Sequence, residues 1–452
     1  MIDDIEYIEL PDERLKRRLE LLVEEMSGGP GRSIPEMSGG WPETKGAYRF
    51  YDNKRVSRED IVAGQRAACM ARLREQPAER VLLVQDTTSF DFKHHPETSG
   101  MGPLENKATW GFMAHSTLMV SEAGVPLGMW EQQVWVRDEE TVGKREQRHE
   151  RAFETKESYK WVLGLPDLSA LKQVTQVITV CDREAHIYKF IDKATTQGAD
   201  FIVRASRGRS FTQAGKDIFA EVAEWPVQKS YSLALPRRPQ RPARDAQVEL
   251  RFGTLTLPAP RRAQATHATL TVQLVEVIEP NPPPDQEAVH WLLLTSLPVL
   301  TLAQAQQIVT WYTYRWLIER FHYVLKSGCK LEMRQLQSQA RLERLLAVCN
   351  LVAWRLLWLT YQARLTPNLG CALTTDEWQA LYAYHHRSTR LPSTPPTLQQ
   401  ATRWIAQLGG FLGRKSDGEP GVKVLWRGWM RLQDITDTWL LLHPPPKNVG
   451  NA

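Results

Sequence analysis

Two short runs constrain this chain's architecture more than anything else in it. "VLLVQD" at 81–86 and "VITVCD" at 177–182 are apolar, rich in β-branched residues, and both end in aspartate. Runs of this length and composition read as strands buried on both faces of a sheet. A carboxylate at the end of such a strand has to be paired, hydrogen-bonded or metal-bound, because an unpaired buried charge is costly. Taken singly, Asp86 and Asp182 are each more often strand-terminating turn residues than ligands. Placed in one sheet, the two strands can bring both carboxylates to the same end of it.

The flanking segments predict that sheet. "RVLLVQDTTSFDF" (80–92) is β-rich, and "TWGFMAHSTLMVS" (109–121) and "VPLGMWEQQVWVR" (125–137) flank a turn at Gly124, as a hairpin does. A charged helix is expected at about 139–165, then the strand ending at Asp182, the helix "REAHIYKFIDKAT" and the strand "ADFIVRA" (199–205). Three strands, helix, strand, helix, strand is a mixed α/β plan. After 206 the Pro- and Arg-rich "LALPRRPQRPARDAQ" and its neighbouring strand candidates predict a β-rich insertion over 207–290. The expected domains are a helical N-terminal one (1–75), an α/β one (76–364, containing the insertion) and a helical C-terminal one (365–452). That agrees with about three domains at roughly 150 residues each for a chain of 452.

Composition narrows the class. The net charge of +5 is modest, and the Arg run within 204–262 suits a polyanion better than a uniformly basic coat does. The five cysteines, Cys69, Cys181, Cys329, Cys349 and Cys371, include no CxxC pair, which favours a reduced, cytoplasmic protein over a zinc or disulfide scaffold. The acidic start "MIDDIEYIEL" predicts no signal peptide. The most apolar stretch, 345–361, holds Asn350 and Arg355 and is expected to be a buried helix, not a membrane span.

A third carboxylate comes from "YTYRWLIERFHYVLKS" at 312–327. Thr301 and Gln304 form a capping box, and Gly328 suits a C-terminal cap, so one helix is predicted over 302–327. On it Tyr312, Arg315, Glu319 and Lys326 fall within an arc of roughly 60°, opposite an apolar face. Alone, such a stripe is a solvated face with an Arg–Glu pair worth about 0.2–0.5 kcal/mol. Beside Asp86 and Asp182, Glu319 completes a cluster of three carboxylates, the donor set that hard divalent cations choose. Tyr312, Arg315 and Lys326 are then donors suited to phosphate oxygens. Two ions in such a cluster suit attack on a phosphodiester.

The spacing Y-x2-R-x3-E-x6-K resembles the YREK signature of bacterial insertion-sequence DDE transposases, of the composite transposon-five cut-and-paste type. "QDTTSF" at Asp86 and "VCDREAHI" at Asp182 resemble the family's two aspartate motifs, with His186 where an aspartate is usual. "GAYRFYDN" (46–53) resembles its N-terminal DNA-binding segment, and "RWIAQLGGFLGRK" (403–415) its C-terminal region. The resemblance implies an RNase-H-like fold with a β insertion before the glutamate. It implies that Asp86, Asp182 and Glu319 bind two divalent ions, Mg²⁺ with Mn²⁺ as substitute, and that Tyr312, Arg315 and Lys326 hold DNA phosphates. Trp291 would stack on a flipped base, unless it is a core aromatic of the last insertion strand. Arg204 would contact DNA, unless it is a strand-end surface charge, and Arg49 would reach the recognised end. Arg237, Arg238, Arg241 and Arg244 would add non-specific contacts or simply solvate a loop.

The implied partners are transposon-end DNA with its inverted repeats, target DNA, and a second copy of the chain, with no membrane. The implied reaction is strand nicking, hairpin formation, hairpin opening and strand transfer. For pairing, Ile405, Leu408, Leu412, Leu425, Trp429, Leu432 and Trp439 form an apolar stripe that serves either as dimer contact or as the domain's own core. Two other functions stay open from the residues alone: a DNA-binding relative without catalysis, and a nuclease that cuts without joining.

Overall fold

The computed structural model describes residues 2–105, 108–139, 152–165, 171, 173–235, 243–260 and 265–444. Ten strands among them form one sheet: β1 (Arg80–Asp91), β2 (Gly102–Pro103), β3 (Trp110–Ser121), β4 (Pro126–Trp135), β5 (Gln176–Cys181), β6 (Asp200–Arg204), β7 (Lys229–Leu235), β8 (Arg244–Pro258), β9 (Thr269–Ile278) and β10 (His290–Thr295). The order is β2-β3-β1-β5-β6-β10-β9-β8-β7, with β4 also paired to β3. The expected hairpin is β3–β4. Its turn holds Gly124 at φ +87°, a backbone state that favours glycine, and a Cβ there would also meet the Tyr314 ring at 2.8 Å.

The mixed plan comes from the two apolar runs. β1 pairs parallel with β5 from Arg80–Gln176 to Val84–Val180, and antiparallel with β3 along its whole length. β5 pairs parallel with β6. Parallel strands need crossovers, and here the helix Tyr188–Gln197 runs from β5 to β6. This is the RNase-H-like α/β arrangement with helical N- and C-terminal regions.

The β-rich segment continues the same sheet. β10, expected as the last strand of the insertion, pairs antiparallel with β6 on one side and with β9 on the other. It joins the two parts. One part of the expected helix at 139–165, residues 140–151, lies outside the described residues; the described remainder forms single turns, at Phe153–Thr155, Glu157–Tyr159 and Lys160–Leu163. Arg237, Arg238 and Arg241 also lie outside the described residues. Arg244 is no solvated loop residue, because its guanidinium pairs with the buried Glu279 carboxylate.

Helices cover both faces. The long helix Gln339–Leu365 is mostly buried, as expected, and no helix among the described residues is long and apolar enough to cross a membrane. Its buried amide is satisfied: Asn350 Nδ2 donates to Gln132 Oε1 at 2.9 Å, and Gln132 Nε2 donates to Ser116 Oγ at 3.1 Å. Arginines tie the N-terminal helices to this region. Arg334 donates to the carbonyls of Pro30 (2.7 Å) and Cys329 (2.9 Å), Arg344 to those of Tyr51 (3.0 Å) and Val56 (2.6 Å), and Arg341 pairs with Asp52 at 2.6 Å.

The C-terminal apolar stripe is mainly core. Ile405, Leu408, Leu425, Trp429 and Leu432 are buried within the chain, where the helices Leu398–Leu408 and Val422–Leu442 pack together. Of the two readings of the stripe, burial selects the core for these five: an amphipathic pair of helices satisfies its own apolar faces first. Leu412 stays 68% exposed, and Trp439 stacks on His443 at 3.8 Å.

The two helices touch backbone to backbone. A Cβ on Gly428 would lie 1.7 Å from the Ile405 carbonyl oxygen, and one on Gly409 would lie 1.8 Å from that of Val424. Gly428→Ala is expected to destabilise the protein by about 1–3 kcal/mol through overpacking. Gly370→Ala, where a Cβ meets open space, serves as the comparison. A melting temperature for Gly428→Ala equal to that of Gly370→Ala would refute the close crossing.

Candidate active site

The site begins where the parallel ladder stops. The last β1–β5 pair is Val84–Val180, so Asp86 and Asp182 each stand two residues further along neighbouring strands. Side chains alternate along a strand, so both carboxylates project to the face of Val84 and Val180, the face that carries the helices around Tyr312 and Phe321. Asp182 ends its strand as expected and caps the next turn, accepting from the Glu184 N–H at 2.7 Å. Asp86 does not end β1. The strand runs on to Asp91 because β3 still pairs with it, Asp86 opposite Ser116.

The single helix predicted over 302–327 is three pieces. Leu302–Thr313 starts with the expected capping box of Thr301 and Gln304. At Tyr314 and Arg315 the chain tightens to three-residue hydrogen bonds. Trp316–Tyr323 follows, and Val324–Gly328 is a π-turn closed by Cys329 N–H on the Val324 carbonyl at 2.8 Å. The left-handed residue at the end is Lys330 (φ 48°), not Gly328. Both irregularities change the angular positions that an ideal helix would give.

The four-residue stripe is accordingly divided. Tyr312 is 3% exposed, so it lies inside and not on a solvated face. Its hydroxyl stands beside the Arg315 guanidinium, and burial pushes its pKa up. Arg315 lies between two of the acids: Nη1 is 3.5 Å from Asp86 Oδ2, and Nη2 pairs with Glu319 Oε1. Lys326, beyond the irregular turn, pairs with Glu332 at 3.6 Å and lies 5.6 Å from the Phe90 ring. Its place is at the far end of β1, where Glu332 also accepts the Asp91 N–H at 3.0 Å.

The three acids act on one another electrostatically. Burial, with the negative charges of Asp182 and Glu319 against the opposing Arg315, pushes the Asp86 carboxyl up to about 7. Burial also raises Asp182, opposed by the Glu184 N–H it accepts and by the charges of Arg315 and Lys160, while the Glu184 carboxylate adds to the rise. Burial works against the charge of Arg315, yet Tyr312, Glu319 and Asp86 more than restore it.

Among the described residues, no three acids, histidines or cysteines stand close enough to hold an ion as they are. The reason is visible, since a guanidinium fills the space between Asp86 and Glu319. The donor set nonetheless suits a hard cation. It is all oxygen, it is largely buried, and it already gathers a positive charge between two of its members.

Other expected residues fall elsewhere. Trp291 is 8% exposed and sits edge-on to Tyr312 at 5.3 Å. It packs within the core, on a strand that lies between β6 and β9. Arg204, at the end of β6, donates to the His290 carbonyl at 3.1 Å and acts on Tyr312 by its charge. Arg49 is exposed on the helix Trp41–Asp52, in line with Lys45 and Trp41, which are exposed four and eight residues before it.

Residues that the sequence did not single out also matter. Lys160 is buried, pairs with Glu184 at 3.3 Å and lies over the rings of Trp135 and Trp161 at 5.7 and 5.6 Å. Nothing in a charged stretch marks one lysine as inward-facing. His186 is buried; its Nδ1 accepts the Ser206 N–H at 2.9 Å, and Nε2 lies 2.9 Å from Ser210 Oγ. Burial, helped by Arg209, lowers it to about 4, so it stays neutral and pins the turn after Asp182.

Three family models match the chain. One described as transposase DNA-binding covers residues 1–56, one described as transposase DDE domain covers 162–355, and one described as transposase Tn5 dimerisation domain covers 351–438. The DDE match holds Asp182 and Glu319, and the DNA-binding match holds Arg49.

The raised carboxyl of Asp86 has a consequence for stability. The folded state keeps a proton there that the unfolded state releases nearer pH 4, so this contribution is complete below about pH 4 and is lost as pH rises through about 7. Metal-free Asp86→Asn protein is therefore expected to melt about 2 °C or more above the unsubstituted protein at pH 8, and the two should converge near pH 4. Parallel melting curves across that range would contradict the burial of a charged Asp86.

Proposed function

Because this chain belongs to the DDE transposases of the Tn5 type, we propose that it excises and inserts a bacterial insertion sequence by cut-and-paste. It is a DNA transposase, and its enzyme family generally uses divalent metal ions. The observation that carries the finer reading is the mutual charge influence of Asp86, Asp182 and Glu319 where β1 outruns β5, with one guanidinium on Asp86 and Glu319. In our reading these three carboxylates hold two ions, Mg²⁺ physiologically with Mn²⁺ as a substitute. Ions so held supply Lewis acidity, which makes a water or a 3′-OH nucleophilic and stabilises the leaving oxygen.

The chain's own groups do the positioning. Tyr312, Arg315 and Arg204 lie together at one side of the carboxylates and suit successive phosphates of one strand. Lys326, displaced toward Glu332, suits a phosphate further along. Nicking, hairpin closure, hairpin opening and strand transfer are each an in-line attack on a phosphodiester, so one site serves all four. Lys45 and Arg49, with Trp41, form the outward face that meets the inverted repeat.

Asp86→Asn, Asp182→Asn and Glu319→Gln are each expected to reduce cleavage at least about 10³-fold while leaving end binding intact. A labelled pre-cut end incubated with target DNA reads binding, cutting and joining separately. Binding without joining would leave a DNA-binding relative, and cutting without joining a nuclease. Wild-type cleavage by any one of the three variants would remove that residue from the site.

The second copy of the chain is expected to sit on the end of the last helix, where Leu441 and Leu442 are 82% and 72% exposed. Leu441→Asp should weaken pairing of two ends at least about tenfold and spare single-end binding. Gel shifts with ends of two lengths check this, and undiminished paired complexes would place the contact elsewhere.

A further inference from the structure

Arg315 stands where a cation is wanted. It belongs to the short break between two helices, and from there its guanidinium reaches Asp86 on β1 and Glu319 one turn on. The side chain is only 11% exposed, and Nε is buried with no hydrogen-bond partner among the described residues. The arginine is thus drawn in by two carboxylates but incompletely satisfied there. A buried donor left unpaired costs about 1–3 kcal/mol.

We propose that Arg315 is an internal stand-in for the metal, so that a divalent cation binds Asp86 and Glu319 only when the guanidinium leaves, and that a DNA phosphate is what draws it out. This rests on the reading above that Asp86 and Glu319 are metal ligands. The exclusion is both steric and electrostatic. A hard cation takes carboxylate oxygens at about 2.0–2.6 Å, and the gap it needs is already spanned by Nη1 and Nη2. Two positive groups in that gap would repel each other in a poorly solvated place.

Once displaced, the guanidinium needs another anion. Tyr312 is beside it, and Arg204 also acts on Tyr312 by its charge, so a phosphate attracted to these donors meets Arg315 as well. A planar guanidinium matches a phosphate as well as it matches a carboxylate. The two equilibria are then linked: DNA raises the affinity for metal, and metal raises the affinity for DNA by the same factor. Without DNA the arginine keeps the centre closed, and the protein carries few loaded sites into contact with the wrong substrate.

Mn²⁺ binding tests this on the full chain, read from loss of the free-ion paramagnetic resonance signal. It is measured with and without a duplex oligonucleotide, after subtracting ions the oligonucleotide holds alone. Arg315→Gln, which keeps bulk and removes charge, is expected to bind Mn²⁺ about tenfold tighter than the unsubstituted protein when DNA is absent. Arg315→Lys, whose ammonium cannot bridge both acids, should lie between them. Duplex should tighten Mn²⁺ binding to the unsubstituted protein about tenfold and leave Arg315→Gln unchanged. Equal Mn²⁺ affinity of Arg315→Gln and the unsubstituted protein, or equal tightening of both by duplex, overturns the proposal. Glu319→Gln added to Arg315→Gln separates the two readings. If Mn²⁺ still binds that double variant, the ions do not sit on these carboxylates, and the assignment of ligands falls together with this inference. If binding is lost but Arg315→Gln alone changes nothing, only the stand-in fails.

Discussion

Repulsion between carboxylates is what this fold is arranged to contain. The β1–β5 ladder delivers Asp86 and Asp182 side by side at the edge of an apolar layer, and the next packed helix adds Glu319. Left alone, three such charges would drive the strand ends and the helix apart. Arg315 opposes them from within, and Lys160 opposes them from the other side, through Glu184 and the turn after Asp182. Even so, one carboxyl is pushed toward neutrality. The site is therefore a place where burial and like charge work against the fold.

Beneath it lies a firm support of neutral polar groups. His115, opposite Thr87 on the neighbouring strand, lies 2.9 Å from Thr87 Oγ1 and 3.1 Å from Gln85 Oε1, and stands edge-on to Trp161. Burial keeps it uncharged. Ser116, Gln132 and Asn350 make a second buried chain, which fixes the long helix to β3 and β4. His115 and Ser116 stand in β3 opposite Thr87 and Asp86, so the strand that carries the carboxylate is braced by groups whose own charge state does not vary.

The legible parts of the sequence were those where periodicity and chemistry agree. The strands ending at or near Asp86 and Asp182, the hairpin at Gly124 and the capping box at Thr301 follow from local rules. The nearness of Asp86 to the end of the strand before Asp182 was legible too, since both follow apolar runs that pair in one sheet. What escaped was set by tertiary contact. The hairpin tip at Gly124 presses on Tyr314, at the very place where the helix breaks, and no helical wheel anticipates that. Whether Trp291 is covered depends on β10 lying between β6 and β9, a pairing across nearly ninety residues. The C-terminal stripe could be read as core or as interface until the Gly409–Gly428 crossing showed where the apolar faces go.

The turn after the π-helix gathers segments from three remote parts of the chain. Gly31 lies against the Gly328 carbonyl, Arg334 holds Pro30 and Cys329, and Trp426 packs on Gly328 and Tyr323. A chain leaves the ribosome at about 5–20 residues per second. The helix bearing Glu319 therefore waits several seconds for Trp426, and it cannot take its final packing until the last helix has emerged. Completion of this turn is thus coupled to translation: the segment that bears Glu319 is made well before the Trp426 that packs beside it.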